Sequence, residues 1–164
     1  MDYYESVMVH YLRSDRAVFV NSEACIQLNA SANPDQSGPH WYCDAIAADF
    51  RSKTVFLCEV SYSKGLSGLT KRLKGWHDDW EGVCLALTRD SFLDKGWPVR
   101  PWIFLPEEFV PLLLKRFAEI SAGQPLKFAP RITPLEMIQP WRFQSWNRIA
   151  EMPKPASVPE GMRG

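Results

Sequence analysis

The pattern of apolar and polar positions is clearest between residues 41 and 64, where two apolar runs flank a short polar turn. The runs, residues 41–48 and 54–60, are apolar at consecutive positions, which is typical of strands buried on both faces. β-Branched and aromatic residues in the second run favour a strand over a helix. Because residues 50–53 supply a polar turn, the segment is predicted to form a β-hairpin.

Each strand of the predicted hairpin carries one acid in apolar surroundings, Asp44 in the first and Glu59 in the second. Directly opposed residues of an antiparallel pair point to the same face. A two-residue loop at Arg51 and Ser52, or a four-residue loop over 50–53, sets Asp44 opposite Glu59. A three-residue loop would place the two acids on opposite faces. Since short hairpins favour two-residue loops, we expect the carboxylates to meet.

Two opposed carboxylates in a buried hairpin repel each other and lose hydration, so a cation has to neutralise them. One solution is a divalent metal, because Mg²⁺ is typically held by one or two carboxylates together with water and substrate phosphates. The other solution is a structural ion pair with Lys64, Lys71 or Arg72. The residues alone leave both solutions open.

Asp44, fourteen intervening residues and then Glu59-Val60-Ser61 resemble the core of the PD-(D/E)xK, or restriction-endonuclease-like, nuclease superfamily. The resemblance covers roughly residues 17–105. It implies an α/β fold with a mixed central sheet flanked by helices. It also implies that Asp44 and Glu59 bind Mg²⁺ (or Mn²⁺) and take part in the hydrolysis of phosphodiester bonds in DNA or RNA.

The sequence departs from the superfamily at two positions. Cys43 stands where the family often has proline, which is a minor difference. Ser61 stands where a catalytic lysine is expected, two residues after the second acid. Some members recruit a lysine from a neighbouring position, which implies a catalytic role for Lys64, or for Lys71. Otherwise the resemblance implies a catalytically inactive module that binds nucleic acid or a protein partner.

A cluster of basic residues follows the hairpin and precedes Trp76. A basic helix that begins near a metal site can hold phosphates through charge, and hydroxyl groups can add contacts. The alternative is a solvated face of an amphipathic helix. The candidate substrate-binding residues are Ser63, Lys71, Arg72 and Lys74. The candidates for a third metal ligand are Glu5 and Glu23, although Glu5 is also favoured in a first helical turn.

The rest of the chain is predicted from its periodicity and its turn residues. Residues 2–14 form a helix capped by Asp2, and 17–28 form either one bulged strand or a strand and a further short element. Residues 66–83 form a helix, unless 82–88 are a strand that ends the helix near Trp80. The later elements are a strand over 101–105, a helix from 106 to about 120 and an edge strand within 127–133.

Composition adds limits to this interpretation. The 164 residues include 46% hydrophobic and 23% charged residues with a formal net charge of zero, which indicates one globular domain without a generally basic surface. No apolar run approaches the roughly 18 residues of a membrane span. The N-terminus lacks a signal-peptide pattern. We therefore expect no membrane contact, a single α/β domain over 1–150 and a disordered tail over 151–164.

Cysteine and tryptophan usage completes the expectations. The four cysteines show no CxxC spacing and are interpreted as buried free thiols in a reducing cytoplasm. Seven tryptophans are many for this length, and Trp97, Trp102, Trp141 and Trp146 are assigned to the core or to an interface. The aromatic-rich C-terminal half is therefore a candidate surface for a homo-oligomer.

Overall fold

The predicted hairpin lies at the centre of a five-stranded mixed sheet. The computed structural model describes residues 1–29, 38–91, 93, 96–143, 148 and 155–163. The strands follow the order of the sequence across the sheet. β2 is antiparallel to both of its neighbours, whereas β3, β4 and β5 are parallel to one another. The strands are β1 (Val18–Gln27), β2 (His40–Asp49), β3 (Thr54–Val60), β4 (Val99–Leu105) and β5 (Arg131–Pro134).

Helices cover both faces of this sheet, so the predicted α/β class with a mixed, helix-flanked sheet is confirmed. On one face the core includes Met8, Leu12 and Trp102, and on the other it includes Leu73 and Leu113. Six of the seven residues of β3 are buried, as expected for a strand covered on both sides. The α-helices are α1 (Tyr3–Arg13), α2 (Ser67–Asp78), α3 (Trp80–Ser91) and α4 (Val110–Ile120).

The opening helix α1 begins with a reciprocal cap. The Asp2 carboxylate accepts a hydrogen bond from the Glu5 backbone N–H at 2.8 Å, and the Glu5 carboxylate accepts one from the Asp2 N–H at 3.1 Å. This capping box satisfies two backbone donors that a helix start otherwise leaves without partners. The predicted helix over 2–14 and its Asp2 cap are confirmed.

β1 is one strand with a local distortion at Glu23, whose φ is +54°. Pairing with β2 keeps the same register on both sides of this residue, so no residue is inserted. The side chains nevertheless change faces. In β1, Val18 packs on the α1 side and Ala24 packs on the α2 side. In β2, Ala45 packs on the α1 side and Cys43 packs on the α2 side. The sequence predicts an interruption at Asn21 and Ser22, as a bulge or as a break into a second element; the structure instead has one continuous strand whose distortion lies at Glu23, beside Asp44.

The segment after the hairpin contains two helices. The predicted strand over 82–88 is wrong, because these residues lie within α3. Val83, Ala86 and Leu87 are buried at helical spacing, which directs one face of α3 into the core. The helical backbone is interrupted between α2 and α3 at Asp79, whose φ of −124° and ψ of 41° are not helical.

The elements predicted for the C-terminal third are present in the structure, but several of them begin or end at other residues than predicted. β4 begins two residues before the predicted 101–105. The predicted helix from 106 is split into a 3-10 turn (Glu107–Phe109) and α4. β5 is the expected edge strand. Residues 155–163 of the predicted disordered tail are ordered: Val158 is buried and Arg163 forms a β-bridge with Ile132. The remaining tail residues, Trp146 and most of the predicted loop over 29–39 lie outside the described residues.

The cysteines and tryptophans separate into buried and exposed groups. Cys43 and Cys58 are buried, Cys25 and Cys84 are half-buried, and none of the four forms a disulfide in the described part of the chain. Trp102 is in the core, whereas Trp141 is 78% exposed, which leaves the interface as the predicted role of Trp141. Within the described ranges, no helix combines the length and apolar character needed to cross a membrane.

Candidate functional site

The register of the central hairpin brings the two acids together. β2 and β3 pair from Asp49 opposite Thr54 to Ala45 opposite Cys58, and the turn between them has four residues. Continuing this register by one position sets Asp44 opposite Glu59. The expectation from the four-residue loop is therefore confirmed, and both carboxylates lie at the end of β3 on the side covered by α2.

The two carboxylates share one cation. Nη1 of Arg72 lies 2.5 Å from Oε2 of Glu59 and 3.9 Å from Oδ1 of Asp44. The other Asp44 oxygen accepts a hydrogen bond from the Val60 backbone N–H at 2.8 Å. This bond fixes the Asp44 carboxylate at the point where β2 and β3 stop pairing. The structural ion pair considered from the sequence is thus present, with Arg72 as its cation.

Burial makes this arrangement costly for the charged acids. The Glu59 side chain is 3% exposed, and its pKa is raised to about 8, chiefly by burial and then by the charge of Asp44, against the opposing effect of Arg72. Burial also raises the pKa of Asp44, although the Val60 N–H acts in the opposite direction. One guanidinium therefore does not fully compensate two carboxylates, and below about pH 8 the pair retains a proton.

One oxygen of this pair has no partner. Oε1 of Glu59 is buried and makes no hydrogen bond within the described structure. A buried acceptor without a partner is rare and calls for a physical explanation. A proton on Glu59 would reduce the cost, and a bound cation would remove it. The orphaned oxygen is consistent with a site that exchanges a proton for a metal ion.

The packing of α2 places Arg72 over the acids. The ring of Trp41 in β2 lies against the backbone of α2 at Gly75, where a side-chain carbon would overlap the indole. Glycine at this position allows the helix to approach the sheet closely, at a cost in helix propensity of about 1 kcal/mol. Arg72 lies almost one helical turn before Gly75, so this contact brings its guanidinium to the acid pair.

The other basic candidates do not contact the pair. Lys64 is exposed in the turn between β3 and α2, and Lys71 is exposed on α2. Lys74 forms an ion pair with Asp78 at 3.0 Å. Ser63 is exposed, and its carbonyl accepts a hydrogen bond from the N–H of Leu66. Of the predicted substrate-binding residues, Arg72 is the one that the structure brings to the acids, and Ser63, Lys71 and Lys74 lie in solvent.

Neither candidate for a third metal ligand is positioned as one. Glu5 is held in the capping box of α1, although its charge is near enough to raise the pKa of Asp44. Glu23 is 68% exposed. Across the described ranges, no group of three or more His, Cys, Asp or Glu side chains is arranged to hold a metal ion. Asp44 and Glu59 would therefore supply the protein ligands of any divalent ion at this site.

Replacing Glu59 by Gln tests the raised pKa. Between 4.5, the ordinary glutamate pKa, and about 8 the folded protein holds a proton that the unfolded chain has released. The free energy of unfolding therefore falls as pH rises through this interval. We expect Glu59→Gln to flatten that decline, measured by urea denaturation in EDTA at several pH values. The exposed replacement Glu108→Gln should keep the wild-type slope. A Glu59→Gln variant as pH-dependent as the wild type would contradict the assignment.

The acid pair has to be interpreted from its own geometry and charge. No protein-family model matches the chain, no curated protein matches its sequence and no solved structure matches its fold. The structural observations on which a function can be based are the opposed carboxylates, the shared guanidinium and the orphaned oxygen of Glu59.

Proposed function

We propose that this protein is a divalent-metal-dependent, nuclease-like hydrolase of phosphodiester bonds in nucleic acid. The observation that carries the proposal is the pairing of Asp44 and Glu59 at the end of the central hairpin, where both carboxylates already share one cation. Carboxylate oxygens are the ligands that Mg²⁺ and Mn²⁺ prefer. These two residues would hold the metal.

The architecture supports the same proposal. β2 alone runs against the other four strands, a helix precedes the hairpin and a basic helix follows it. This agrees with the mixed, helix-flanked sheet that the resemblance to PD-(D/E)xK nucleases implies. The acids also occupy two adjacent antiparallel strands, β2 and β3, at one level of the sheet, as that resemblance requires. A fold does not by itself imply an activity, so the proposal depends on the site.

The residues present fit a metal with two protein ligands. Oε1 of Glu59 has no hydrogen-bond partner among the described residues, Asp44 is oriented by a backbone N–H, and the pair carries a net negative charge once Glu59 loses its proton. Water and substrate phosphates complete the coordination of Mg²⁺ in many phosphoryl-transfer sites. Arg72 has to leave the pair when a metal binds, and it is then free to contact a phosphate.

The roles of the chain's own residues follow from their positions. When bound, the metal activates water and offsets charge on the phosphate. Lys64, in the exposed turn directly after β3, stabilises the negative charge that develops on the phosphate, and Lys71 is the alternative. Lys71 and Lys74 on α2, together with Ser63, bind phosphates of the substrate backbone.

A second candidate function is a catalytically inactive module with the same fold that binds nucleic acid or a protein partner. Two observations favour it. Ser61 stands at the position of the catalytic lysine, and Arg72 already occupies the space between the acids. In this alternative Arg72 is a permanent structural counter-ion, and the acid pair holds α2 on the sheet.

A calorimetric titration with Mn²⁺ tests the metal site. We expect saturable binding by the wild type, and loss of that binding in Asp44→Asn, which keeps the size of the side chain and removes its charge. Because Glu59 must release a proton, the heat should depend on the buffer and the affinity should rise towards pH 8. Asp78→Asn, an exposed acid on α2, is the matched control. Equal binding by Asp44→Asn and the wild type would contradict the proposed ligands.

Hydrolysis of labelled DNA and RNA oligonucleotides tests the activity. With Mn²⁺ present, we expect Lys64→Ala to lower kcat by about 10²-fold or more, because a donor aimed at developing charge acts mainly in the transition state. Lys115→Ala removes an exposed lysine of α4 and should leave the rate unchanged. An unchanged rate in Lys64→Ala and a reduced rate in Lys71→Ala would transfer the role to Lys71.

Replacing Arg72 by Met separates the two candidate functions. In EDTA the variant should lose about 3–5 kcal/mol of unfolding free energy, because it leaves buried acids without their cation. If the site binds metal, Mn²⁺ should restore much of that loss and should bind the variant more tightly than the wild type. Thermal unfolding with and without Mn²⁺ measures both effects. Destabilisation without recovery would favour the inactive module.

A further inference from the structure

A second cavity lies at the carboxyl ends of the parallel strands. It has a volume of about 410 Å³, within the roughly 300–1,000 Å³ of small-molecule sites. Leu135 follows β5 directly, and the opposite wall comes from α1. In open α/β sheets, the crevice outside the carboxyl ends of the strands is the usual place for a ligand. The residues that line this cavity, called here the C-edge pocket, include Tyr4, Leu135, Glu136, Gln139, Trp141 and Arg142.

The C-edge pocket is connected to the acid pair through the first turn of α1. The ring of Tyr4 lies on the ring of Tyr62 with centroids 4.6 Å apart, and Tyr62 is three residues beyond Glu59. The pocket and the acid pair therefore lie at the same end of the sheet, the pocket on the side of α1 and the acids on the side of α2.

The aromatic walls of the pocket differ in exposure. Tyr4 is half-buried and is held by its contacts with Tyr62 and with Tyr3. Trp141 presents 78% of its surface to solvent. An indole is a good surface for stacking a planar ring. The pocket thus offers aromatic surface to a planar ligand.

The polar groups of the pocket retain unused hydrogen-bonding capacity. Nε of Arg142 donates to the Glu136 carbonyl at 3.3 Å, which leaves its two Nη groups for an anion. Nε2 of Gln139 donates to the Leu135 carbonyl, so its amide oxygen remains an acceptor. One Glu136 oxygen accepts from the Glu107 N–H, and the other is not used by this bond. A cation, two acceptors and aromatic rings match the phosphate, amino groups and ring of a nucleotide.

We propose that the C-edge pocket binds one base of the nucleic acid that is cut at the acid pair, with a phosphate held by Arg142. This inference rests on the proposed nuclease function. A base that stacks on Trp141 has left its own duplex, which costs a few kcal/mol in double-stranded nucleic acid and much less in a single strand. The substrate class is therefore single-stranded nucleic acid.

Binding of nucleoside 5′-monophosphates to the full chain in EDTA tests the pocket without any metal. Calorimetry should give saturable binding for at least one of the four common bases. Trp141→Ala and Arg142→Ala should each weaken it about tenfold or more, as expected for loss of stacking or of a charge-assisted phosphate contact. Both side chains are exposed, so neither change threatens the fold. Phe19→Ala, an aromatic residue of β1 that is 65% exposed, is the matched control and should bind as the wild type does.

Several results would overturn the proposal. They are the absence of binding by the wild type, an equal loss in Phe19→Ala, and undiminished binding by Trp141→Ala and Arg142→Ala. A wild-type dimer that Trp141→Ala converts to a monomer, without nucleotide binding, would assign this face to a second copy of the chain.

Separate measurements test the substrate class and distinguish a failure of the pocket proposal from a failure of the nuclease proposal. With Mn²⁺, Trp141→Ala should slow hydrolysis of a single-stranded oligonucleotide, and wild-type cleavage of a duplex as fast as of the single strand would overturn the substrate class. Nucleotide binding in EDTA combined with no Mn²⁺ binding would refute the nuclease proposal alone. Mn²⁺ binding that needs Asp44, combined with no nucleotide binding, would refute the pocket alone.

Discussion

The charge balance among Asp44, Glu59 and Arg72 constrains the rest of the site. Two carboxylates with one guanidinium leave a net negative charge at the centre of a sheet that is covered on both faces. The protein reduces the cost by raising the pKa of Glu59 to about 8, so that a proton supplements Arg72. In the folded protein, a proton and one guanidinium together therefore balance the two carboxylates.

This balance depends on backbone geometry on either side of the acids. The four-residue turn determines which side chains of β2 and β3 point to the same face. At Glu23 in β1 and Asp44 in β2, the side chains of both strands change from one face of the sheet to the other. The close approach of α2 at Gly75 then determines how far the Arg72 side chain has to reach. A shift of one residue in the hairpin would separate the acids, and a larger residue at 75 would move their cation.

The parts of the site that are formed by residues close together in the sequence could be predicted from the sequence. The hairpin, its acids and their register follow from apolar runs and loop parity, and the cap of α1 follows from Asp2 and Glu5. The choice of Arg72 over Lys64 and Lys71 was not predictable, because it depends on where α2 begins and on its rotation against the sheet. The C-edge pocket carries no sequence signal, because its walls come from residues near 4 and near 140 that only the fold brings together.

Two cations compete for one acid pair, and this competition connects the two candidate functions. An active site and an inactive module can share the same contacts here, since the difference between them is whether a divalent ion outcompetes Arg72 and the proton of Glu59. In the proposed nuclease, substrate phosphates would tip that competition towards the metal, because they would add ligands and at the same time offer Arg72 a new anion. A nucleotide in the C-edge pocket would bring its phosphate to this end of the sheet. In the proposed nuclease, substrate and metal would therefore bind cooperatively, and the metal affinity of the free protein would be measurable but lower than that of the complex with nucleic acid.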